Sequence, residues 1–339
     1  MRLGNGLSNA PATSAKRTVK AALPNRIDRS TSALLPVCHS QRTSEHVDAP
    51  TFGRKQVLYG LAGIASFVNL QEAFGTSDVA RIRVEETPDQ AAYDPNDATL
   101  REAALKLQEG LKAPTVEKEE AIWTEIIEKY EGLQGDWVPE IVGRTYGNRG
   151  NARSRQGKFE TALVDYEKAI ELCPWSVEPV LNRGVLYENT GQLALAERDY
   201  RAVLQANPED PVGWNNLGNV QMGTGNFTEA LVSLDRATRL SPEFAFAAAN
   251  HSLAQFELGE SNLAIKEMRA ILRRYPEFPE SRAALAAALW AEGLEVQAET
   301  EWQRVNDPRY KDKSWLAKER RWPPKIRDAF EAFLDVRSL

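Results

Sequence analysis

Residues 211–244 read PVGWNNLGNVQMGTGNFTEALVSLDRATRLSPEF, and the same pattern returns on both sides at a fixed interval. Gly157, Gly191, Gly225, Gly259 and Gly293 stand 34 residues apart, and Ala162, Ala196, Ala230, Ala264 and Ala298 follow in the same phase. Twelve residues beyond each of the first four alanines lies a proline, at Pro174, Pro208, Pro242 and Pro276. Such a period marks a chain built from one supersecondary unit repeated in tandem. Within the unit, glycine suits the left-handed end of a first helix and proline stops a second helix. Small residues at Gly150, Gly184 and Gly218 and at the repeated alanines let two helices cross closely.

Trp214, Leu217, Gly218, Ala230, Leu234, Ala237 and Pro242 occupy positions 4, 7, 8, 20, 24, 27 and 32 of this unit. In these residues the chain resembles the tetratricopeptide repeat (TPR) family. The resemblance implies an all-α fold, a right-handed α-solenoid of TPR helix hairpins. Five units are expected at 143–176, 177–210, 211–244, 245–278 and 279–306, the last without its closing proline. More than three stacked repeats make a stable array.

Outward from the repeats, 98–142 reads as a divergent hairpin and linker. Leu100–Leu111 and Val116–Tyr130 have helical apolar spacing, and an irregular stretch over Gly132–Val142 interrupts the stack. Residues 76–97 read as an extended acidic linker carrying Glu85, Glu86, Asp89, Asp94 and Asp97. After Asp307 comes a basic tail and capping helix, 307–339. Pro323 and Pro324 suit a helix start, and Ile326, Phe330, Phe333 and Leu334 form one apolar face that should close the solenoid's open end.

The net charge of −6 hides a division. The first 75 residues hold nine basic and four acidic residues, so 76–339 carries −11. That balance argues against nucleic acid as a partner. Residues 1–50 have the composition of an organelle transit peptide, with ten Ser/Thr, seven Lys/Arg and only Asp28 as an acid before residue 45. Residues 51–75 then place Arg54 and Lys55 ahead of an apolar run, Val57 to Val68, with Ala73 and Gly75 fitting a cleavage site. Two signals in tandem resemble the bipartite presequences of plastid proteins sent to the thylakoid lumen. Cleavage near Thr76 and an uncleaved anchor are both compatible with 57–70, the second leaving the solenoid tethered on the stromal side. The short array with its Trp-Pro-Pro tail resembles plastid-lumen TPR proteins.

Chemistry-bearing residues are scarce. Beyond residue 75 there is one cysteine, Cys173, and one histidine, His251, which excludes a Cys/His metal site in the body. No nucleophile motif or phosphate loop is present. No catalytic residue, metal or cofactor is expected. His251 sits where leucine usually packs and reads as partly buried, and Cys173 reads as a small packing residue.

A binding role falls to the first helices. Asn148, Asn182, Asn216 and Asn250 recur at position 6, with Asn151 and Asn219 at position 9, an amide ladder able to hold the backbone of an extended peptide. Among Arg144, Arg149, Arg153 and Arg155, helical position turns Arg144 and Arg155 toward the groove, to bind an acidic segment or to pair locally with Glu160 or Asp165. The dicarboxylate clamp of chaperone adaptors is rejected, because Gly147 and Val212 stand where it needs lysines. Residues 309–327 carry +6, including Lys318, Arg320 and Arg321. With Trp315 and Trp322 they suit peripheral contact with a thylakoid membrane or an acidic partner, although Trp322 is expected to pack on the last hairpin. The expected function is a non-catalytic scaffold, an adaptor or assembly factor for photosynthetic complexes, whose partner is an extended peptide segment or photosystem-related subunit.

Overall fold

Residues 81–337 are described by a computed structural model. The transit-peptide stretch 1–50, the apolar segment 51–75 and the first residues of the acidic linker lie outside the described residues. Those described form thirteen α-helices joined by short turns, with no strand among them. An N-terminal hairpin, α1 (Ala98–Leu111) and α2 (Val116–Tyr130), precedes five more. These are α3 (Val138–Arg155) with α4 (Phe159–Leu172), and α5 (Glu178–Asn189) with α6 (Leu193–Ala206). Then come α7 (Pro211–Gly223) with α8 (Phe227–Leu240), α9 (Ala245–Glu257) with α10 (Ser261–Arg274), and α11 (Pro279–Ala291) with α12 (Glu295–Trp302). A 3-10 turn (Pro308–Lys311) and a wide π-type turn (Trp315–Glu319) lead into α13 (Pro324–Arg337).

The 34-residue glycines have one structural cause. Gly157, Gly191, Gly225, Gly259 and Gly293 all have φ between 73° and 90°. At each the first helix closes by the same pair of bonds. Gly157 N–H donates to Ser154 O and Lys158 N–H to Arg153 O, at 3.0 and 2.9 Å, and the pattern recurs in all five hairpins. This is the Schellman closure, which a side chain at the left-handed residue would strain. Small residues at position 8 answer a different need. A Cβ at Gly150, Gly184 or Gly218 would lie 2.5–2.8 Å from the ring of Tyr166, the ring of Tyr200 or Leu234, the position-24 residues of the facing helices.

Hairpins stack so that α1, α3, α5, α7, α9 and α11 each touch the next in the series and form one inner row. The stack therefore runs unbroken from α1, which corrects the expected interruption over Gly132–Val142. Helix α3 already begins at Val138, because Val138, Ile141 and Val142 are buried against the N-terminal hairpin and Pro139 is tolerated in the first turn. The lead-in is likewise docked and not extended. Arg83 N–H donates to Pro174 O at 2.8 Å, two short turns follow, and Tyr93 is buried.

Helix α13 caps the terminal hairpin, as expected, and reaches further than that hairpin. Its Ile326, Phe330 and Phe333 are buried, and it packs on α11 and α9, the first helices of two successive hairpins. It closes the terminal hairpin and runs on across the inner row to the hairpin before it. Helix α11 permits this by being rich in alanine: every residue from Glu280 to Leu289 is buried, Ala283, Ala284, Ala286, Ala287 and Ala288 among them. Among the described residues no helix is long and apolar enough to cross a membrane.

Candidate functional site

Two layers define the inner face: the row of first helices, and the part of it that the tail covers. The tail is organised around Glu280, the second residue of α11, whose side chain is 4% exposed. Its carboxylate accepts from Tyr310 Oη at 2.5 Å and Trp322 Nε1 at 2.7 Å, and pairs with Arg320 Nε at 2.8 Å. Burial, with the Glu280 charge beside it, pushes the Tyr310 phenol above its ordinary range, so it stays a donor. Trp302, Tyr310, Trp315, Trp322, Phe330 and Phe333 form a chain of ring contacts around this carboxylate.

From there the tail reaches back along the row. Arg320 donates to Asn250 Oδ1 on α9 at 2.7 Å, and Lys325 N–H donates to Glu257 at 2.9 Å while its ammonium lies over the Phe256 ring. Arg321 crosses to α5, donating to Glu188 O at 2.5 Å with its other nitrogen 3.5 Å from the Glu188 carboxylate. Lys318 is exposed. The basic tail is thus largely neutralised internally: Arg309 pairs with Asp307, Lys313 with Asp335, and Arg327 with Asp328. This corrects the expectation that Arg320 and Arg321 face a membrane or an acidic partner. Trp322 packs beneath the tail, as expected, and Trp315 is half-buried against Tyr310 with the Arg309 guanidinium over its ring.

The asparagines do not form one open ladder. Asn250 is buried, donates to Asn215 Oδ1 at 3.0 Å and accepts from Arg320, so the fourth repeat offers a ligand no open amide at position 6. Asn151 turns away to accept from Tyr166 Oη at 2.8 Å, and the Oδ1 of Asn219 is buried without a hydrogen-bond partner. Asn148, Asn182 and Asn216 remain half-buried on α3, α5 and α7, where Asn216 accepts from Asn215 at 3.4 Å. At position 6, only the first three repeats keep an amide within reach of solvent.

The arginines of the first repeat are hairpin clasps. Arg149 forks onto Asp165, with Nε at 3.0 Å and Nη2 at 2.8 Å, and Arg153 joins Asp165 to Glu120 of α2. Arg144 pairs with Glu140 at 2.7 Å and Arg155 pairs with Glu119. The expectation that Arg144 and Arg155 await an acidic segment is corrected, since carboxylates ahead of the repeat already hold them, not Glu160 or Asp165. Sequence reasoning also missed a repeated device. Position 7 of the first helix pairs with position 23 of the second in Arg149–Asp165, Arg183–Asp199 and His251–Glu267. The signal, opposite charges sixteen residues apart in the same phase, was available. His251 is 14% exposed and bonded to Glu267 at 2.7 Å, a packing role. Burial, with Glu140 nearby, pushes the Cys173 thiol up to about 12, which makes it inert as a nucleophile at neutral pH.

On α3, toward the N-terminal end of the row, Glu140 repeats the logic of Glu280. It is 1% exposed, accepts from Gln90 at 2.5 Å and Tyr93 Oη at 3.0 Å, and pairs with Arg144. Glu140 lies ahead of the first unit, and Glu280 shares position 2 only with the exposed Glu178, so no repeated pattern marked them. Among the described residues no group of His, Cys, Asp and Glu could hold a metal ion.

Family descriptions of the tetratricopeptide repeat match residues 143–176 and 181–245. Protein FlbA of Caulobacter vibrioides is 26% identical over 308 residues, covering 80% of this chain and 47% of FlbA, so the chain spans about half the length of that curated relative. Among solved structures, a TPR protein from Parabacteroides merdae superposes with a TM-score of 0.53 at 17% identity, covering 70% of this chain and 98% of the other. YrrB, described as a TPR protein with an unusual peptide-binding site, gives a TM-score of 0.45 at 18% identity, over 64% of this chain and 98% of YrrB. The chain carries tetratricopeptide repeats at residues 143–176 and 181–245, and its described residues fold as an α-solenoid of helix hairpins.

Proposed function

We propose that the protein is a non-catalytic interaction scaffold that holds an extended segment of a partner protein along α3, α5 and α7, and that it serves as an adaptor or assembly factor for photosynthetic complexes in the thylakoid lumen. One observation carries the binding part: Asn148, Asn182 and Asn216 stay half-buried on α3, α5 and α7, where the tail docks through Arg321 on Glu188, while Asn250 is closed off. Half-exposed amides at one-repeat spacing match the donors and acceptors of an extended backbone. The compartment rests on the composition of residues 1–75. The apolar run from Val57 to Val68 also supports a second reading, an anchor leaving the solenoid on the stromal side. Replacing Asn182 and Asn216 together by alanine should lower partner recovery in crosslinked affinity isolation at least severalfold with unchanged helical circular dichroism. Equal recovery would dismiss the groove. Protease protection of plastid fractions and N-terminal sequencing test the compartment, a start near Thr76 excluding the anchor.

A further inference from the structure

The tail contains one residue whose docking is unlike the rest. Tyr310, Leu316, Trp322, Ile326, Phe330 and Phe333 are buried in a continuous core and hold the tail whatever else happens. Arg321 is different. It reaches the second repeat, 133 residues away in sequence, with a side chain that is 29% exposed. Its backbone has φ 53°, the single non-glycine residue with positive φ among the described residues. A left-handed backbone is strained for an arginine, so this contact is held against strain.

What it contacts is already organised without it. Tyr200 Oη donates to Glu188 Oε2 at 2.8 Å, which fixes the carboxylate with its other oxygen turned to Arg321. The main-chain oxygen of Glu188, which also accepts from Gly191 N–H at 3.1 Å, is a second acceptor for the same guanidinium. A guanidinium is planar and presents parallel donors, which suits this pair of oxygens. Leu181, Val185 and Glu188 follow one another at helical spacing on α5, and the two aliphatic side chains are half-buried.

We propose that Glu188, braced by Tyr200, is a cation subsite of the inner face, that Arg321 is its occupant in cis, and that an arginine of a basic partner segment displaces it. The proposal rests on the groove reading above and deepens it, by naming the charge of the partner. A partner arginine meets the same two oxygens without the left-handed backbone, and Leu181 and Val185 offer its neighbours apolar contact. Arg320 stays on Glu280, where both side chains are more deeply buried, so the tail does not leave when the subsite is taken. Docking of the tail and of a partner are mutually exclusive only at Glu188.

The test uses the full chain and a fluorescent peptide of residues 317–325. Arg321→Ala removes the occupant and keeps the tail core, so it should bind the peptide at least tenfold more tightly than the unmodified protein. Adding Glu188→Gln should abolish that gain, and a peptide with both arginines replaced by glutamate should not bind. Equal affinity of Arg321→Ala and the unmodified protein overturns the proposal, and this comparison needs no substitution at Glu188. Tight binding of the glutamate peptide also overturns it. So does concentration-dependent dimerisation of the unmodified protein that the peptide reverses, which would assign the subsite to the tail of a second copy. If the peptide fails while partner recovery still depends on Asn182 and Asn216, only this inference falls and the groove reading stands.

Discussion

The two ends of the solenoid are closed by similar chemistry with different reach. Near the N-terminus, Glu140 collects Gln90 and Tyr93 of the lead-in, and its cation, Arg144, sits one turn along the same helix. Near the C-terminus, Glu280 collects Tyr310, Trp322 and Arg320, all three from the tail. The first clasp is half local and survives as a helix pair if the lead-in lifts. The second is wholly non-local, so its carboxylate, cation and indole are satisfied together or not at all. A buried ion pair of this kind adds little net stability over an apolar replacement, but removing one partner is expensive because the other stays buried and uncompensated.

Glu280→Ala is the largest expected effect that follows from this contrast. It should cost about 3–5 kcal/mol in urea unfolding, with indole fluorescence from the Trp290, Trp302, Trp315 and Trp322 cluster changing first. Glu140→Ala should cost less, about 1–3 kcal/mol, because Arg144 is 25% exposed and can turn to water. Equal losses for the two variants would break the distinction between local and non-local clasps.

Acid should separate the ends in a graded way. Burial opposes the charge of Glu120, but Lys158, Arg153 and Gln156 outweigh it and lower its carboxyl from 4.5 to about 2. A carboxyl depressed on folding contributes stability that is fully present above 4.5 and lost as pH falls toward 2. Hydrogen exchange in α2 and at the start of α4 should therefore accelerate between those pH values. Unchanged protection at pH 2.5 would show that the clasp does not hold the N-terminal hairpin.

Arg321→Gly is the smallest expected change. Glycine adopts φ 53° freely, so relief of strain offsets the loss of a half-exposed ion pair. Stability should move by less than about 1 kcal/mol, measured by thermal unfolding. A loss of several kcal/mol would make Arg321 a structural pin like Arg320.

Much of the repeat body was legible before any coordinate was known. The glycine at each left-handed helix end, the small residue beneath Tyr166, Tyr200 or Leu234, and the proline after each second helix are local requirements, met afresh in each unit. The start of α3 was misread because Val138, Ile141 and Val142 pack on a hairpin that lies outside the period. The candidate site was legible only in part. The amides at position 6 were found, yet their availability was decided by partners 35 residues away for Asn250 toward Asn215, and 70 residues away for Asn250 toward Arg320.

Period, helix ends and hairpin crossings follow from the order of residues alone, because each depends on backbone conformation and on neighbours within one 34-residue unit. Where the tail goes does not. An arginine in a basic, aromatic segment is equally compatible with solvent, a membrane or a groove, and its partner is set by which carboxylates the stacked hairpins bring within reach. Only the tertiary arrangement puts Glu280, Asn250 and Glu188 along one path, and so turns a tail that reads as a surface feature into the lining of the inner face.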